Sequence, residues 1–125
     1  MSQANPLPTV DVGEADRRLR EDPARPVLLD VRELNEFEEV RAPGALLIPT
    51  SGFADRLAEL PDDRPLLVIC RTGVRSAAVT GFLARSGRGD VANVGGGMEA
   101  WEQAGLPVRR GPVQPGEGEI GRAHV

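Results

Sequence analysis

Leu66-Leu67-Val68-Ile69 is the most hydrophobic run in the chain, and it stops directly at Cys70. Four apolar residues without polar alternation read as a strand buried on both faces, the habit of a parallel sheet covered by helices. Arg71-Thr72-Gly73-Val74-Arg75 follows as a polar loop around a central glycine. From Ser76, a helical pattern runs through Ala77, Ala78, Val79, Phe82 and Leu83 to a stop at Ser86-Gly87. Any fold open to this chain must hold a buried strand, a tight loop and a helix in immediate succession.

The same alternation recurs. Val27-Leu28-Leu29 is a second apolar run, finishing at Asp30. Ala45 to Ile48 is a third, stopped by Pro49, and Val91 to Val94 a fourth. Between them lie helical patterns. Val12, Ala15 and Leu19 follow Asp11, with Glu14 three residues on as in a capping box. Glu33 to Glu39 surrounds Leu34 and Phe37. Phe53, Leu57 and Leu60 follow Thr50 or Ser51 as a helix cap, and Met98 to Ala104 carries Trp101 inward and ends at Gly105. Gly95-Gly96-Gly97 marks a turn that side chains would obstruct. Strands alternating with short helices imply an α/β sandwich with a mostly parallel sheet.

At 125 residues one domain is expected. It reads as residues 1–110, followed by a Gly- and Pro-rich flexible tail over 111–125 that tolerates truncation after Val113. The net charge of −4 argues against nucleic acid, which wants a basic face. No stretch approaches the ~20 apolar residues of a membrane span, and Met1 to Pro8 lacks a signal-peptide pattern. The single cysteine excludes an internal disulfide and a Cys-only zinc site. A cytoplasmic protein with a free thiol is the simplest reading. The one histidine, His124, lies in the tail, so neither a His metal cluster nor a Cys-His pair has a convincing imidazole.

Cys70 stands where α/β sheets place their ligands, at the carboxyl end of a strand. A loop as short as Arg71 to Arg75 must curl, and a curled loop turns successive backbone N–H groups inward as an anion nest. The helix N-terminus adds partial positive charge, and Arg71 and Arg75 add full charges. All of these favour thiolate over thiol. The bland alternative is a small buried hydrophobe. The coincidence of strand end, glycine loop, two arginines and helix start weighs against it.

These residues resemble those of a single-domain rhodanese-family sulfurtransferase. Leu29-Asp30-Val31-Arg32-Glu33 with Glu36-Phe37 is similar to the family's first signature. Pro43-Gly44-Ala45 with Ile48-Pro49 is similar to its second, and Cys70 to Ser76 to its active-site loop. Gly95 to Trp101 with Ala104 to Val108 is similar to its closing signature. The resemblance runs from about Leu7 to Val108. It implies a three-layer sandwich with a central, mostly parallel sheet of about five strands. It implies sulfane sulfur transfer from a donor such as thiosulfate to cyanide or a thiol through a Cys70 persulfide, stabilised by the amides of Arg71, Thr72, Gly73, Val74 and Arg75. No metal or organic cofactor is implied. The partners implied are a small anionic donor and a thiol or cyanide acceptor, with a persulfide-carrying or thioredoxin-like protein also open.

The family often carries Gly-His before its second turn. Here that stretch is Val40-Arg41-Ala42-Pro43, which makes Arg41 a structural or pocket-rim residue and leaves substrate preference open. Two other functions stay in play. Related phosphatases and arsenate reductases place cysteine and arginine one residue further apart than Cys70 and Arg75, and some rhodanese-like domains are non-catalytic or sulfur-carrier binding modules. Among supporting residues, Asp30 either orients Arg75 or Arg32 or caps the next turn. Arg32 bridges loops behind the pocket, Arg71 recruits anionic donors, and Ser76 caps its helix. Met98 and Trp101 pack the core. The acidic run Glu36, Glu38, Glu39 reads as a solvated face.

Overall fold

The structure, a computed structural model, describes residues 7–120. The chain runs β1 (Thr9–Val10), α1 (Val12–Glu21), β2 (Val27–Asp30), α2 (Leu34–Glu39), β3 (Leu46–Leu47), two 3-10 turns (Thr50–Gly52 and Ala54–Glu59), β4 (Leu66–Ile69), α3 (Val74–Arg85), β5 (Val91–Val94) and α4 (Gly97–Gln103). The five strands form one sheet in the order β1-β5-β4-β2-β3, and every pairing is parallel. The α/β sandwich with its parallel sheet is as expected.

Strand alternation splits the core into two clusters. Leu28, Leu67, Ile69, Ala92 and Val94 face α1, α2 and α4, where Ala15, Phe37, Met98 and Trp101 meet them. Val27, Leu29, Leu66, Val68 and Val91 face the other way, against Val79 and Leu83 of α3 and Phe53 of the 3-10 segment. β2, β4 and β5 are buried at every position, which is why they read as near-continuous apolar runs rather than alternating ones, broken by Asp30 at the end of β2 and Asn93 within β5. The Trp101 indole N–H donates to Pro107 O at 2.8 Å, so the ring is buried without an orphaned donor.

Local signals resolve as follows. Asp11 caps α1, its carboxylate accepting from Glu14 N at 2.8 Å. The Phe53–Leu60 region is 3-10 rather than α-helical, and neither Thr50 nor Ser51 caps it through a side chain. Ser51 Oγ donates instead to Glu33 Oε1 at 2.9 Å.

The C-terminal segment differs from the tail read in the sequence. Residues 111–120 lie along the domain: Gly111 N donates to Glu38 O at 2.8 Å and Leu47 N to Gly118 O at 2.9 Å, the latter covering the free edge of β3. The clasp is Arg41, 1% exposed. Its guanidinium donates to Glu117 (3.1 and 2.8 Å), Gly111 O (2.7 Å), Pro112 O (3.4 Å) and Phe37 O (3.3 Å), and stands 5.5 Å from the Phe37 ring centroid. A segment poor in apolar residues is thus held by one buried cation that needs its carbonyls and carboxylate. Arg41 is a structural clamp, not a pocket-rim residue. Truncation after Val113 is accordingly expected to lower stability by about 1–3 kcal/mol, because it strips Glu117 from that guanidinium while admitting some water. Urea unfolding of the shortened chain measures this, and an unchanged midpoint contradicts the clamp. His124 and the rest of 121–125 lie outside the described residues.

Candidate active site

β4 delivers Cys70 to the carboxyl end of the sheet, with β2 on one side and β5 on the other. The residue is 1% exposed and belongs to the hydrophobic cluster beneath α3. Its sulfur nonetheless faces hydrogen-bond donors. Gly73 N donates to Sγ at 3.1 Å, Ser76 N at 3.3 Å and Ser76 Oγ at 3.2 Å. This is possible because Gly73 adopts a left-handed conformation (φ +104°) and becomes the N-cap of α3, which therefore begins at Val74, two residues before Ser76. Ser76 is thus not the cap. It sits inside the first turn, where its hydroxyl reaches back to the sulfur.

Burial pushes the Cys70 thiol up. The Ser76 hydroxyl and the amides of Ser76, Gly73 and Thr72 more than offset it, and the thiol is left more acidic than usual. The loop is also held from outside. Met98 N donates to Cys70 O at 2.8 Å and Glu99 N to Arg71 O at 3.1 Å, so the Gly95-Gly96-Gly97 turn is docked against the carbonyl side of the cysteine loop.

The two loop arginines do not point at the sulfur as free cations. Arg75 makes a two-pronged pair with Glu36 at 2.7 and 2.9 Å. Hydrogen bonding to Arg75 draws the Glu36 carboxyl down to about 2, against burial, with the Glu33 amide assisting. The carboxylate is therefore charged, and the pair intact, at neutral pH. Glu36 is thus not part of a solvated face. It belongs to the rim of the site, and its offset of 39 positions from Arg75 in the sequence hides this from any local pattern. Arg71 is exposed and pairs with exposed Glu99 at 3.1 Å. The cleft beside the loop, about 410 Å³, is lined by Arg71, Glu36, Glu99, Glu102, Arg110 and Met98 among others, so its charge is mixed rather than cationic. Val74 projects into solvent.

Behind the loop, Asp30 and Arg32 are 0% and 2% exposed. Arg32 Nε and Nη2 donate to the Asp30 carboxylate at 2.9–3.2 Å, and Asp30 also accepts from Arg32 N at 3.0 Å. The remaining guanidinium N–H groups donate to Glu36 O (3.1 Å) and Val40 O (2.7 Å). Asp30 therefore orients Arg32 and not Arg75, and Arg32 holds the C-terminal turn of α2, the helix that presents Glu36 to Arg75. Among the described residues no group of three or more His, Cys, Asp or Glu side chains could hold a metal ion. No helix among them is long and apolar enough to cross a membrane.

Comparison with known proteins follows the same outline. The family model for the rhodanese-like domain matches residues 11–104. A protein named "Sulfurtransferase" from Allochromatium vinosum is 37% identical over 82 residues, 66% of this chain and 77% of its own. The thiosulfate sulfurtransferase GlpE of Actinobacillus succinogenes is 38% identical over 82 residues, covering 66% of this chain and 74% of that one. Among solved structures, a rhodanese-related protein from Thermoplasma volcanium superposes with a TM-score of 0.75 at 28% identity, over 82% of this chain and 98% of its own. By sequence and by fold, the chain belongs to the rhodanese-like domain family.

Proposed function

We propose that the protein is a sulfurtransferase that carries sulfane sulfur on Cys70. The observation that bears most weight is the ring of three donors around one sulfur, Gly73 N, Ser76 N and Ser76 Oγ, in a chain whose thiol has no histidine beside it among the described residues. Such a ring holds an anion without a proton-transfer partner. In the proposed cycle the Cys70 thiolate attacks the outer sulfur of thiosulfate. A new S–S bond forms, the old one breaks, and sulfite leaves with its electron pair. The product is a persulfide whose terminal sulfur carries the negative charge. Cyanide or a thiolate then attacks that terminal sulfur, and Cys70 leaves again as thiolate. Neither half needs a general acid, because every leaving group is already an anion.

The names of the relatives support this reading, as does the loop itself: four residues separate Cys70 from Arg75. A shorter ring suits one sulfur atom better than a tetrahedral phosphate. The arginine pairing refines the expected donor. Arg71 and Arg75 arrive already partnered, so attraction of a small anion rests on the amide ring rather than on free guanidinium charge. The acceptor side admits cyanide, a small thiol, or a thioredoxin-like or persulfide-carrying protein. A reducing compartment such as the cytoplasm suits a thiol that must return to its free form in each cycle.

Treatment with thiosulfate, followed by intact mass measurement, is expected to add one sulfur atom to the protein and none to Cys70→Ser. Subsequent cyanide should release thiocyanate and restore the starting mass. Phosphate released from an ester without thiocyanate would transfer the assignment to the phosphatases. Failure to load from thiosulfate or any persulfide donor would favour a non-catalytic binding module.

A further inference from the structure

β5 reads Val91-Ala92-Asn93-Val94, and all four residues are buried. Asparagine is depleted in strands, and this one is 6% exposed in the sheet interior, between Thr9 of β1 and Val68 of β4. Its backbone is satisfied, the amide donating to Pro8 O at 2.7 Å. Its side chain is only half satisfied. Nδ2 donates to Gly73 O at 3.3 Å, while buried Oδ1 has no partner among the described residues. Exchanging Nδ2 and Oδ1 does not help, because two carbonyl oxygens would then face each other. An amide buried with an orphaned acceptor is worse for stability than an apolar side chain of equal volume. Packing therefore does not account for Asn93.

What Nδ2 holds does account for it. Gly73 carries the left-handed turn on which the sulfur cradle depends. Its N–H donates to Cys70 Sγ at 3.1 Å, and its carbonyl, on the far side of the same residue, accepts from both Asn93 Nδ2 and Ala77 N. There is little room for the turn to relax elsewhere: a side chain at Gly73 would meet Gly96 N at 3.3 Å. The Gly73 N–H and carbonyl lie in successive peptide planes, so a carbonyl held on β5 narrows the backbone rotations by which the N–H can turn from the sulfur.

We infer that Asn93 is a positioning residue for the sulfur cradle, tying Gly73 to β5 so that its N–H stays aimed at the sulfur of Cys70. This rests on the sulfurtransferase reading for its purpose but not for its geometry. The test therefore has one arm that requires no sulfur transfer.

Asn93→Leu keeps the branched outline and the number of side-chain heavy atoms and removes the donor, and Asn93→Ala removes both. In each, the pH midpoint for alkylation of Cys70 by iodoacetamide is expected to rise by about one unit, and sulfur loading from thiosulfate at neutral pH to slow about tenfold. Asn93→Leu should melt close to the parent. A melting shift with unchanged alkylation midpoint and loading rate in both variants means a structural role only and overturns the inference. Should both variants fail to fold, the parent decides. The Asn93 side-chain amide resonance must shift with the same midpoint as Cys70 alkylation, and a flat resonance overturns the inference. If the parent alkylates as described but never loads sulfur, the functional reading fails while the tie from Asn93 to Gly73 is still judged by alkylation.

Discussion

Arg32→Ala is expected to lower the unfolding free energy by about 3–5 kcal/mol, the range for breaking a fully buried ion pair from one side. Asp30 is inaccessible to water, and Arg32 supplies all of its side-chain partners and one backbone N–H. Removing the guanidinium strands a carboxylate at the end of a central strand with a single amide for company. It also takes a donor from Glu36 O, which keeps Val40 N, and from Val40 O, so α2 loses its tether to Arg32 at the same time. Against a total of roughly 5–15 kcal/mol for a domain, such a loss leaves the protein marginal at body temperature. Urea denaturation gives the value. Adding Asp30→Leu to Arg32→Met should recover part of the loss, because no lone charge then remains. A single variant costing less than about 1 kcal/mol would mean the pair is far better hydrated than its burial indicates.

Gly97→Ala is the second large effect, and it strikes activity and folding together. At φ +57° a Cβ on residue 97 would stand 2.5 Å from both Cys70 O and Arg71 O. Those are backbone atoms, so no side-chain rotation relieves the clash. The turn must back away, and with it go the bonds from Met98 N to Cys70 O and from Glu99 N to Arg71 O. A cost of about 1–3 kcal/mol from strain alone is expected, with sulfur loading slowed more than tenfold as the cysteine loop loses its outer support. Gly105→Ala is the control. Gly105 also has positive φ (+72°), but nothing lies within 4 Å of a Cβ there. It should lose about 1 kcal/mol of stability and no loading rate. Equal losses at the two positions would show that backbone conformation, not contact with the cysteine loop, dominates.

These residues also mark where sequence reading succeeds and where it stops. The apolar runs of β2, β4 and β5 and the Cys70 loop were legible because burial on both faces and a tight strand-to-helix turn write their signals into consecutive residues. The start of α3 was displaced by two residues because Gly73, not Ser76, takes the cap, and a left-handed glycine cap carries no polar side chain to reveal it. Glu36 looked like one of three surface acids. Only the fold brings it to Arg75, and among the described residues Glu38 and Glu39 make no such pair. The 111–120 segment has the composition of a tail. Its buried side-chain anchor, Arg41, lies some 70 residues earlier in the chain, and its backbone bonds reach Glu38 and Leu47. Asn93 gave a weak local signal, one amide in an apolar run, whose meaning depends on which loop lies above it.

Strand order carries a consequence for biosynthesis. The first strand to emerge, β1, pairs only with the last, β5. The turn that follows β5 braces the cysteine loop, and Asn93 within it holds Gly73. While a ribosome is still making the chain, the segments up to Ile69 can assemble a partial sheet, but the sulfur has neither brace nor tie. The glycine turn and Asn93 therefore reach the cysteine loop only after some thirty further residues have been added. On a nascent polypeptide the cysteine loop thus waits for β5 and α4, made after it, to supply its last contacts.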